Sequence, residues 1–339
     1  MPLKTNEIYY GDCLDLMQEI PDSRIDLILT DPPYYKIRKE SWDRQWSSSD
    51  KFLQWLNSVF IQFQRVLKGN GSLYCFTSSQ MAPQVEGLMA QKFRILNRII
   101  WVKPPYVTRE KQIKKEDLRR YLPITENIIF AEQFNSEYEA QIDRLKGFIF
   151  EPLRKYLVDE WKKAGLKNRD AKEATGSFMN RHYFSQSQWT LPTEEKYNQL
   201  KEFANRKKKD NFLKGYEDLR REYEDLRRPF NLPPTGPHVD VWNFQASFPG
   251  DSNRHPCEKP VKLLSHIIQT SSQENALILD CFAGTGNTGI ACRRWNRNFI
   301  LIEKEPRYYK IARRRLQAER NLFNKKIRVD LIEEAQGLG

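Results

Sequence analysis

Two short motifs that follow apolar runs contain residues able to do chemistry. Asp31-Pro32-Pro33-Tyr34 follows the run Ile25–Leu29, and Asp280-Cys-Phe-Ala-Gly-Thr-Gly286 follows Leu277–Leu279. In the first motif, a carboxylate and the Pro32 carbonyl can accept the two hydrogens of an exocyclic amine, and the tyrosine ring can stack on the base. The prolines remove N–H donors and stiffen the turn. Small residues in the second motif let a nucleoside cofactor approach the backbone where a helix begins.

An acidic residue ends the strand predicted after the glycine-rich turn. This residue is Glu303, at the end of the run Asn298–Glu303. A carboxylate at this place can accept hydrogen bonds from both ribose hydroxyls of a bound nucleoside. The third glycine of the dinucleotide pattern is missing, so the turn disfavours NAD and FAD and favours S-adenosylmethionine.

Composition narrows the class of protein. The chain has 339 residues, of which 39% are hydrophobic, enough to bury a large core. Its formal net charge of +12 suits a polyanionic partner, because each phosphate that a lysine or arginine neutralises releases a counterion. The five cysteines form no Cys-x-x-Cys pair and the four histidines complete no ligand set. We therefore expect reduced cysteines, no structural metal, a cytoplasmic location and no membrane association.

The elements that position the motifs alternate as in an α/β sheet. Apolar residues between Phe52 and Leu67 recur at helical spacing, and Gly69-Asn70-Gly71 is predicted to end that helix before a strand over Ser72–Phe76. Further elements are predicted on the same grounds: strands Ile95–Val102, Ile124–Ala131, Ala276–Asp280 and Asn298–Glu303, and helices Val261–Ile268, Thr288–Trp295 and Tyr308–Leu322.

A charged helical segment interrupts this alternation between about residues 134 and 235. It contains the near-repeat Tyr216-Glu-Asp-Leu-Arg-Arg-Glu222 and Tyr223–Arg228, which places Tyr and Leu on one stripe of a helix. Two interpretations stay open for the repeat. Either its charges pair at i,i+4 on a solvated helix, or Arg220, Arg221, Arg227 and Arg228 bind DNA phosphates. Short helices around Gly176 also leave a helix-turn-helix open, with Arg181 and His182 as DNA contacts.

Together these motifs resemble those of the β group of DNA amino-methyltransferases. The Asp-Pro-Pro-Tyr motif comes first, an insertion follows, and His255-Pro-Cys-Glu-Lys-Pro260 and the glycine turn come last. The resemblance implies a Rossmann-like, S-adenosylmethionine-dependent methyltransferase fold, α/β and circularly permuted, with a helical insertion. Residues 1–133 would then form the catalytic half, 134–235 a DNA target-recognition module, and 236–339 the cofactor-binding half.

The resemblance also implies a role for each motif residue. Phe282, Gly284 and Gly286 would form the wall under the cofactor, Glu303 would hold the ribose, and Asp12 would lie near the adenine ring. The full set implied for the cofactor is Asp12, Lys259, Pro260, Asp280, Phe282, Gly284, Gly286 and Glu303. The residues implied for the target base, which must leave the duplex because its amine is paired there, are Asp31, Pro32, Pro33 and Tyr34.

The activity implied is methyl transfer to an exocyclic amine of double-stranded DNA. Aspartate rather than serine at position 31 favours adenine N6 over cytosine N4. An RNA methyltransferase and a catalytically inactive DNA-binding regulator are weaker alternatives, because the motif order disfavours the first and the intact motifs disfavour the second. The sequence contains no convincing nuclease motif, so any restriction endonuclease partner would be a separate chain. Homodimerisation stays open.

Overall fold

The chain forms two compact units. A computed structural model describes residues 2–35, 41–103, 119, 121, 124–133, 150–176, 182–185, 189–245 and 258–319. One unit spans residues 1–133 and 229–339, and the other spans 134–228. Residues 229–235, which the sequence grouped with the insertion, lie in the first unit because Phe230 stacks on Phe130 with ring centroids 6.0 Å apart.

The described part of the first unit alternates strands and helices along the chain. In order, these elements are β1 (Glu7–Tyr10), α1 (Cys13–Met17), β2 (Ile25–Thr30), α2 (Ser41–Arg44), α3 (Ser49–Val66), β3 (Leu67–Ser78), α4 (Ala82–Met89), β4 (Phe93–Val102), β5 (Thr125–Gln133), β6 (Val241–Asn243), α9 (Val261–Ser271), β7 (Leu277–Asp280), α10 (Asn287–Arg294), β8 (Asn298–Glu303) and α11 (residues 306–319). Four described helices belong to the second unit: α5 (Glu151–Lys163), α6 (Asp170–Thr175), α7 (Glu194–Lys207) and α8 (Tyr216–Leu226).

The eight strands form one mixed sheet in the order β1-β8-β7-β2-β3-β5-β4-β6. Strand β5 runs antiparallel to β3 and β4, and the other pairs are parallel. Leu27 of β2 pairs with Ile278 of β7, so strands far apart in sequence are neighbours at the centre of the sheet. Parallel strands end at the same edge, which brings together the turns that follow β2 and β7.

Burial explains why these runs become strands and helices. Ile25, Leu27, Ile28 and Leu29 are at most 1% exposed, as expected for a strand covered on both faces. Helix α3 buries the apolar face that its spacing predicts, and the aromatic residues on this face pack into the core rather than forming an exposed surface. The predicted strands and helices of this unit are present among the described residues, with ends that differ by a few residues. The predicted end of the last helix, Leu322, lies outside the described residues.

The prediction for Gly69-Asn70-Gly71 was wrong in its placement. Helix α3 ends at Val66, and these three residues lie inside β3. Leu67 is fully buried and pairs with Ile25, whereas Ser72 pairs with Leu27. Five steps along β3, from Leu67 to Ser72, therefore correspond to two steps along β2, from Ile25 to Leu27. The glycine-containing segment takes up this difference in length as an irregularity in the strand pairing.

The second unit has its own helical core. Its described helices are α5 (Glu151–Lys163), α6 (Asp170–Thr175), α7 (Glu194–Lys207) and α8 (Tyr216–Leu226). The Tyr and Leu stripe of α8 packs into this core, with Leu219 fully buried and Tyr223 stacked on Phe150 at 4.6 Å. Trp189 is also buried and donates its indole N–H to the Tyr183 carbonyl.

In the part of the chain that the structure describes, no helix combines the length and the apolar composition needed to cross a bilayer.

Candidate active site

A cavity of about 290 Å³ lies where the strands β2, β7 and β8 end. Both motifs contribute to it. The lining residues that the sequence had singled out are Asp12, Asp31, Pro32, Pro33, Tyr34, Lys259, Asp280, Phe282, Gly284 and Glu303. The cavity thus joins the predicted amine-binding motif to the predicted cofactor turn, which lie about 250 residues apart in the sequence but follow adjacent parallel strands.

Asp31 is held between a cation and a hydroxyl. Its Oδ2 accepts a hydrogen bond from Lys259 Nζ at 2.5 Å, and its Oδ1 accepts one from the Tyr34 hydroxyl at 2.7 Å. Burial raises the pKa of the Asp31 carboxyl, while the Lys259 charge opposes that rise. The carboxylate is therefore oriented, and it is a stronger base than an aspartate in water.

Tyr34 forms hydrogen bonds through both its backbone N–H and its side-chain hydroxyl. Its backbone N–H donates to the buried Asp43 at 2.7 Å, which fixes the turn, and its hydroxyl lies 3.2 Å from Glu126 Oε2. The ring is 8% exposed, and Lys259 Nζ lies 5.2 Å from its centroid. Stacking of the ring on a target base stays a prediction, and the hydroxyl additionally orients Asp31.

Glu303 is anchored by backbone donors on both oxygens. Oε2 accepts from the Gly284 N–H and Oε1 from the Glu305 N–H, each at 2.7 Å. Burial raises the pKa of the Glu303 carboxyl to about 7. Each carboxylate oxygen has a second lone pair, so the ionised group can still accept the two ribose hydroxyls.

Asp280 shapes the glycine turn from within. Its Oδ1 accepts from the Phe282 N–H at 3.0 Å and its Oδ2 from the Thr288 hydroxyl at 2.5 Å. Burial raises the pKa of this carboxyl to about 7. Because both oxygens are bonded within its own turn, Asp280 fixes the wall of the cavity, and a direct role in holding a cofactor stays a prediction.

Gly286 is required for packing rather than for the cavity wall. It does not line the cavity, its φ is +84°, and a Cβ there would lie 3.1 Å from the Cβ of Ala312. Gly284, in contrast, lines the cavity and has a φ of +51°. Of the three residues predicted to form the cofactor wall, Phe282 and Gly284 line the cavity, while Gly286 lets α10 begin close against α11.

Lys259 lines the cavity, and its Nζ binds Asp31 and lies 3.4 Å from Glu126 Oε2. The place of Lys259 and Pro260 at the methionine end of the cofactor stays a prediction. Pro260 is the N-cap residue of α9. Asp12 caps α1 by accepting from the Leu14 N–H at 2.9 Å, and it also lines the cavity.

Two buried oxygens in the cavity lining have no partner among the described residues. They are Thr30 Oγ1 and Glu258 Oε2. The other Glu258 oxygen accepts from the Thr285 hydroxyl and from Arg315, both at 2.9 Å. A carboxylate oxygen of this kind suits an ammonium group, so together with Glu303 the cavity fits both the amino-acid end and the ribose of S-adenosylmethionine.

Sequence reasoning missed Glu258 and Glu126. Glu258 lies in the His-Pro-Cys-Glu-Lys-Pro segment directly before Lys259, and this position could have indicated that it belongs to the site. Glu126 is a single acid in an apolar run with no motif around it, and such a residue commonly lies at a strand end facing solvent.

The residues predicted to bind DNA lie in the second unit. Arg220, Arg221 and Arg227 are exposed, and weak ion pairs join Arg221 to Asp218 at 3.6 Å and Arg227 to Glu224 at 3.8 Å. Arg228 and His182 are partly buried, and Arg181 lies outside the described residues. These local pairs agree with a solvated helix, yet they are too weak to prevent the arginines from binding phosphates.

Comparison with known proteins gives consistent matches over most of the chain. Residues 25–314 match the model of the DNA methylase family. The Type II methyltransferase M2.MboI of Moraxella bovis is 24% identical, over 96% of this chain and 94% of that protein. The DNA adenine methyltransferase YhdJ of Escherichia coli (strain K12) is 27% identical, over 91% of this chain and 82% of that protein.

Solved structures share the fold. The PvuII DNA methyltransferase, described as cytosine-N4-specific, has a TM-score of 0.54 at 14% identity, over 96% of this chain and 93% of that one. The DNA modification methylase TTHA0409 of Thermus thermophilus, solved in complex with S-adenosyl-L-methionine, has a TM-score of 0.50 at 18% identity, over 92% of this chain and 93% of that one. The predicted α/β methyltransferase fold is confirmed.

Proposed function

The chain belongs to the DNA methylase family, and from this premise we propose that its target is adenine N6 in double-stranded DNA. It is an S-adenosylmethionine-dependent DNA amino-methyltransferase. The observation that supports the assignment most strongly is the shared cavity, in which the Asp31 carboxylate and the Glu303 carboxylate face one space from strands β2 and β8.

The cofactor supplies an electrophilic methyl group when it is bound. Glu303 would hold the ribose and Glu258 the ammonium end, and Phe282 and Gly284 would line the space between the two acids. On the other side of the cavity, Asp31 and the Pro32 carbonyl would accept the hydrogens of the target amine. Catalysis then consists mainly of positioning and of electrostatic stabilisation at an oriented carboxylate.

Adenine is favoured over cytosine by two observations. Position 31 is aspartate, and the relative from Escherichia coli, which aligns over 91% of this chain, is named a DNA adenine methyltransferase. The amines of the two bases are chemically similar, so cytosine N4 is the outcome that the experiment must distinguish.

The experiment uses the purified chain, duplex DNA from an unmethylated host and S-adenosylmethionine labelled in its methyl group. Digestion of the product to nucleosides should place the label on N6-methyladenine, and sequencing that detects modified bases then reports the recognition sequence. The matched control is Asp31→Ala, which should bind the cofactor and transfer no label. Label on N4-methylcytosine would contradict the proposal for adenine.

We assign DNA target recognition to the second unit. It is separate from the sheet that carries the cavity, it has its own core, and its exposed arginines lie in α8 and directly after it. A module that contacts phosphates fixes the position of the duplex, and base contacts from the same module would select the site. Exchange of residues 134–228 with those of a relative of different specificity should transfer the recognition sequence.

A further inference from the structure

Glu126 is a largely buried carboxylate that contacts two groups of the site, Lys259 and the Tyr34 hydroxyl. It lies on β5, between Ser78 of β3 and Trp101 of β4. Its side chain is 13% exposed, and it pairs with Lys103 on one side and with Lys259 on the other. The neighbouring strands thus carry an acid into the space beside the catalytic turn.

Glu126 and Asp31 share two of their partners. Lys259 Nζ lies 2.5 Å from Asp31 Oδ2 and 3.4 Å from Glu126 Oε2. The Tyr34 hydroxyl lies 2.7 Å from Asp31 Oδ1 and 3.2 Å from Glu126 Oε2. A hydroxyl has one proton to donate, so the two carboxylates compete for Tyr34, and Lys259 shares its charge between them.

We propose that Glu126 is a positioning residue for methyl transfer. It stays ionised and holds Lys259 partly away from Asp31, so that Asp31 can accept the proton that the amine loses. The inference rests on the proposed function. The amine nitrogen forms its bond to the methyl carbon as the carbon–sulfur bond breaks, and the sulfur keeps the electron pair. The nitrogen then carries one proton too many, and Asp31 takes that proton.

The charges around the pair agree with this division of roles. Lys259 and Lys103 outweigh the effect of burial at Glu126 and lower its pKa. Burial raises the pKa of Asp31, Lys259 opposes the rise, and the Glu126 charge adds to it. Of the two carboxylates, Asp31 is therefore the one that binds a proton more readily.

Loss of the Glu126 charge should leave Lys259 bound wholly to Asp31. Asp31 would then be a weaker base than it is in the parent chain. In Glu126→Gln, the rate of a single turnover on duplex DNA should fall by about tenfold or more. The acid limb of its pH–rate profile should move to lower pH, because Asp31 then stays ionised at pH values where it is protonated in the parent chain. Glu126→Asp keeps the charge and should lie between the parent and Glu126→Gln in both measurements.

The matched control is Glu132→Gln on the same strand, since Glu132 pairs with Arg94 at 3.5 Å and lies six residues from the site. It should behave as the parent. A second measurement needs neither cofactor nor DNA: carboxyl-carbon NMR of the aspartates, with Asp31 assigned by its loss in Asp31→Asn, should show titration of Asp31 at lower pH in Glu126→Gln.

The outcomes separate the two levels of inference. No methyl transfer by the parent chain would overturn the proposed function. An active parent with the same acid limb and the same Asp31 titration in Glu126→Gln would overturn the role of Glu126. If Glu126→Gln does not fold, Glu126→Asp decides, because an Asp31 titration equal to that of the parent would then count against the inference.

Discussion

Asp31 and Glu303 are carboxylates that face one cavity with different partners. Asp31 binds two side-chain donors, Lys259 and Tyr34, whereas Glu303 binds two backbone N–H groups. Side-chain donors can move when a substrate arrives, and backbone donors in a packed turn cannot move as easily. The first acid is therefore suited to exchanging a proton and the second to holding a ligand in one place.

Asp31→Ala should abolish methyl transfer while cofactor affinity stays within a few-fold of the parent value. The missing acceptor stabilises the transition state by roughly 3 kcal/mol or more, and the residues assigned to the ribose lie on other strands. Single-turnover kinetics and calorimetry with S-adenosylmethionine measure the two effects. Thermal unfolding is the control, because the variant leaves Lys259 with Glu126 as its remaining acid. Near-normal turnover would refute the catalytic role.

Cofactor affinity should weaken as the pH falls through about 7, where Glu303 takes up a proton. An ionised acceptor adds about 1.5–3 kcal/mol per hydrogen bond, and the protonated acid loses this advantage. Calorimetry between pH 6 and 8 tests the effect. Glu303→Gln should bind weakly with little dependence on pH. Asp280 also has a pKa of about 7, so Asp280→Asn, which should retain the dependence, is the control.

The turn between β7 and α10 depends on two glycines in different ways. Gly284 donates its N–H to Glu303 and faces the cavity, and Gly286 accommodates the contact with α11. Asp280 bonds both the start of the turn and Thr288 in the helix behind it. These contacts fix the conformation of the turn before any ligand binds, so less conformational entropy is lost on binding.

Gly286→Ala should destabilise the chain by about 1–3 kcal/mol, because its backbone is left-handed and the new Cβ would crowd Ala312. Thermal or denaturant unfolding measures the change. Gly87→Ala is the matched control, since Gly87 lies in α4 with no heavy atom within 4 Å of a new Cβ. Helix propensity should make this variant neutral or more stable. Equal effects at the two positions would remove the packing argument.

The cavity and the arginines predicted to bind DNA lie in different units of the chain. The sheet carries the cavity, whereas the second unit carries the four arginines that lie in and directly after α8, the helix of the Tyr and Leu stripe. Burial of the stripe explains the spacing of the repeat without reference to DNA, and exposure of Arg220, Arg221 and Arg227 leaves them able to bind phosphates.

Replacement of Arg220, Arg221, Arg227 and Arg228 by Ala should weaken DNA binding and reduce the slope of log K against log salt by about 0.9 for each phosphate that is no longer neutralised. Cofactor affinity should not change. Fluorescence anisotropy at several salt concentrations gives the slope. A control variant replaces Lys4 and Arg24, which precede β1 and β2 and so lie at the strand ends away from the cavity. A folded quadruple variant with the parent slope would assign the arginines to local ion pairs.

Local patterns in the sequence were sufficient to determine the α/β class, the two functional turns and the residues that form them. A continuous apolar run and a 3.6-residue spacing are both local patterns, so the strand before Asp31 and helix α3 follow from the local sequence alone. Most of the motif residues that line the cavity were likewise readable, since they lie at or directly after the carboxyl end of a strand.

Tertiary structure alone decided which of these residues interact. The bond between Lys259 and Asp31 joins positions 228 residues apart, and the contacts of Glu126 depend on the antiparallel register of β5 between β3 and β4. The irregularity around Gly69 also depends on tertiary structure, because it arises from the pairing of β3 with β2. Register and strand order are set by the packing of the whole sheet, and no local segment of the sequence contains that information.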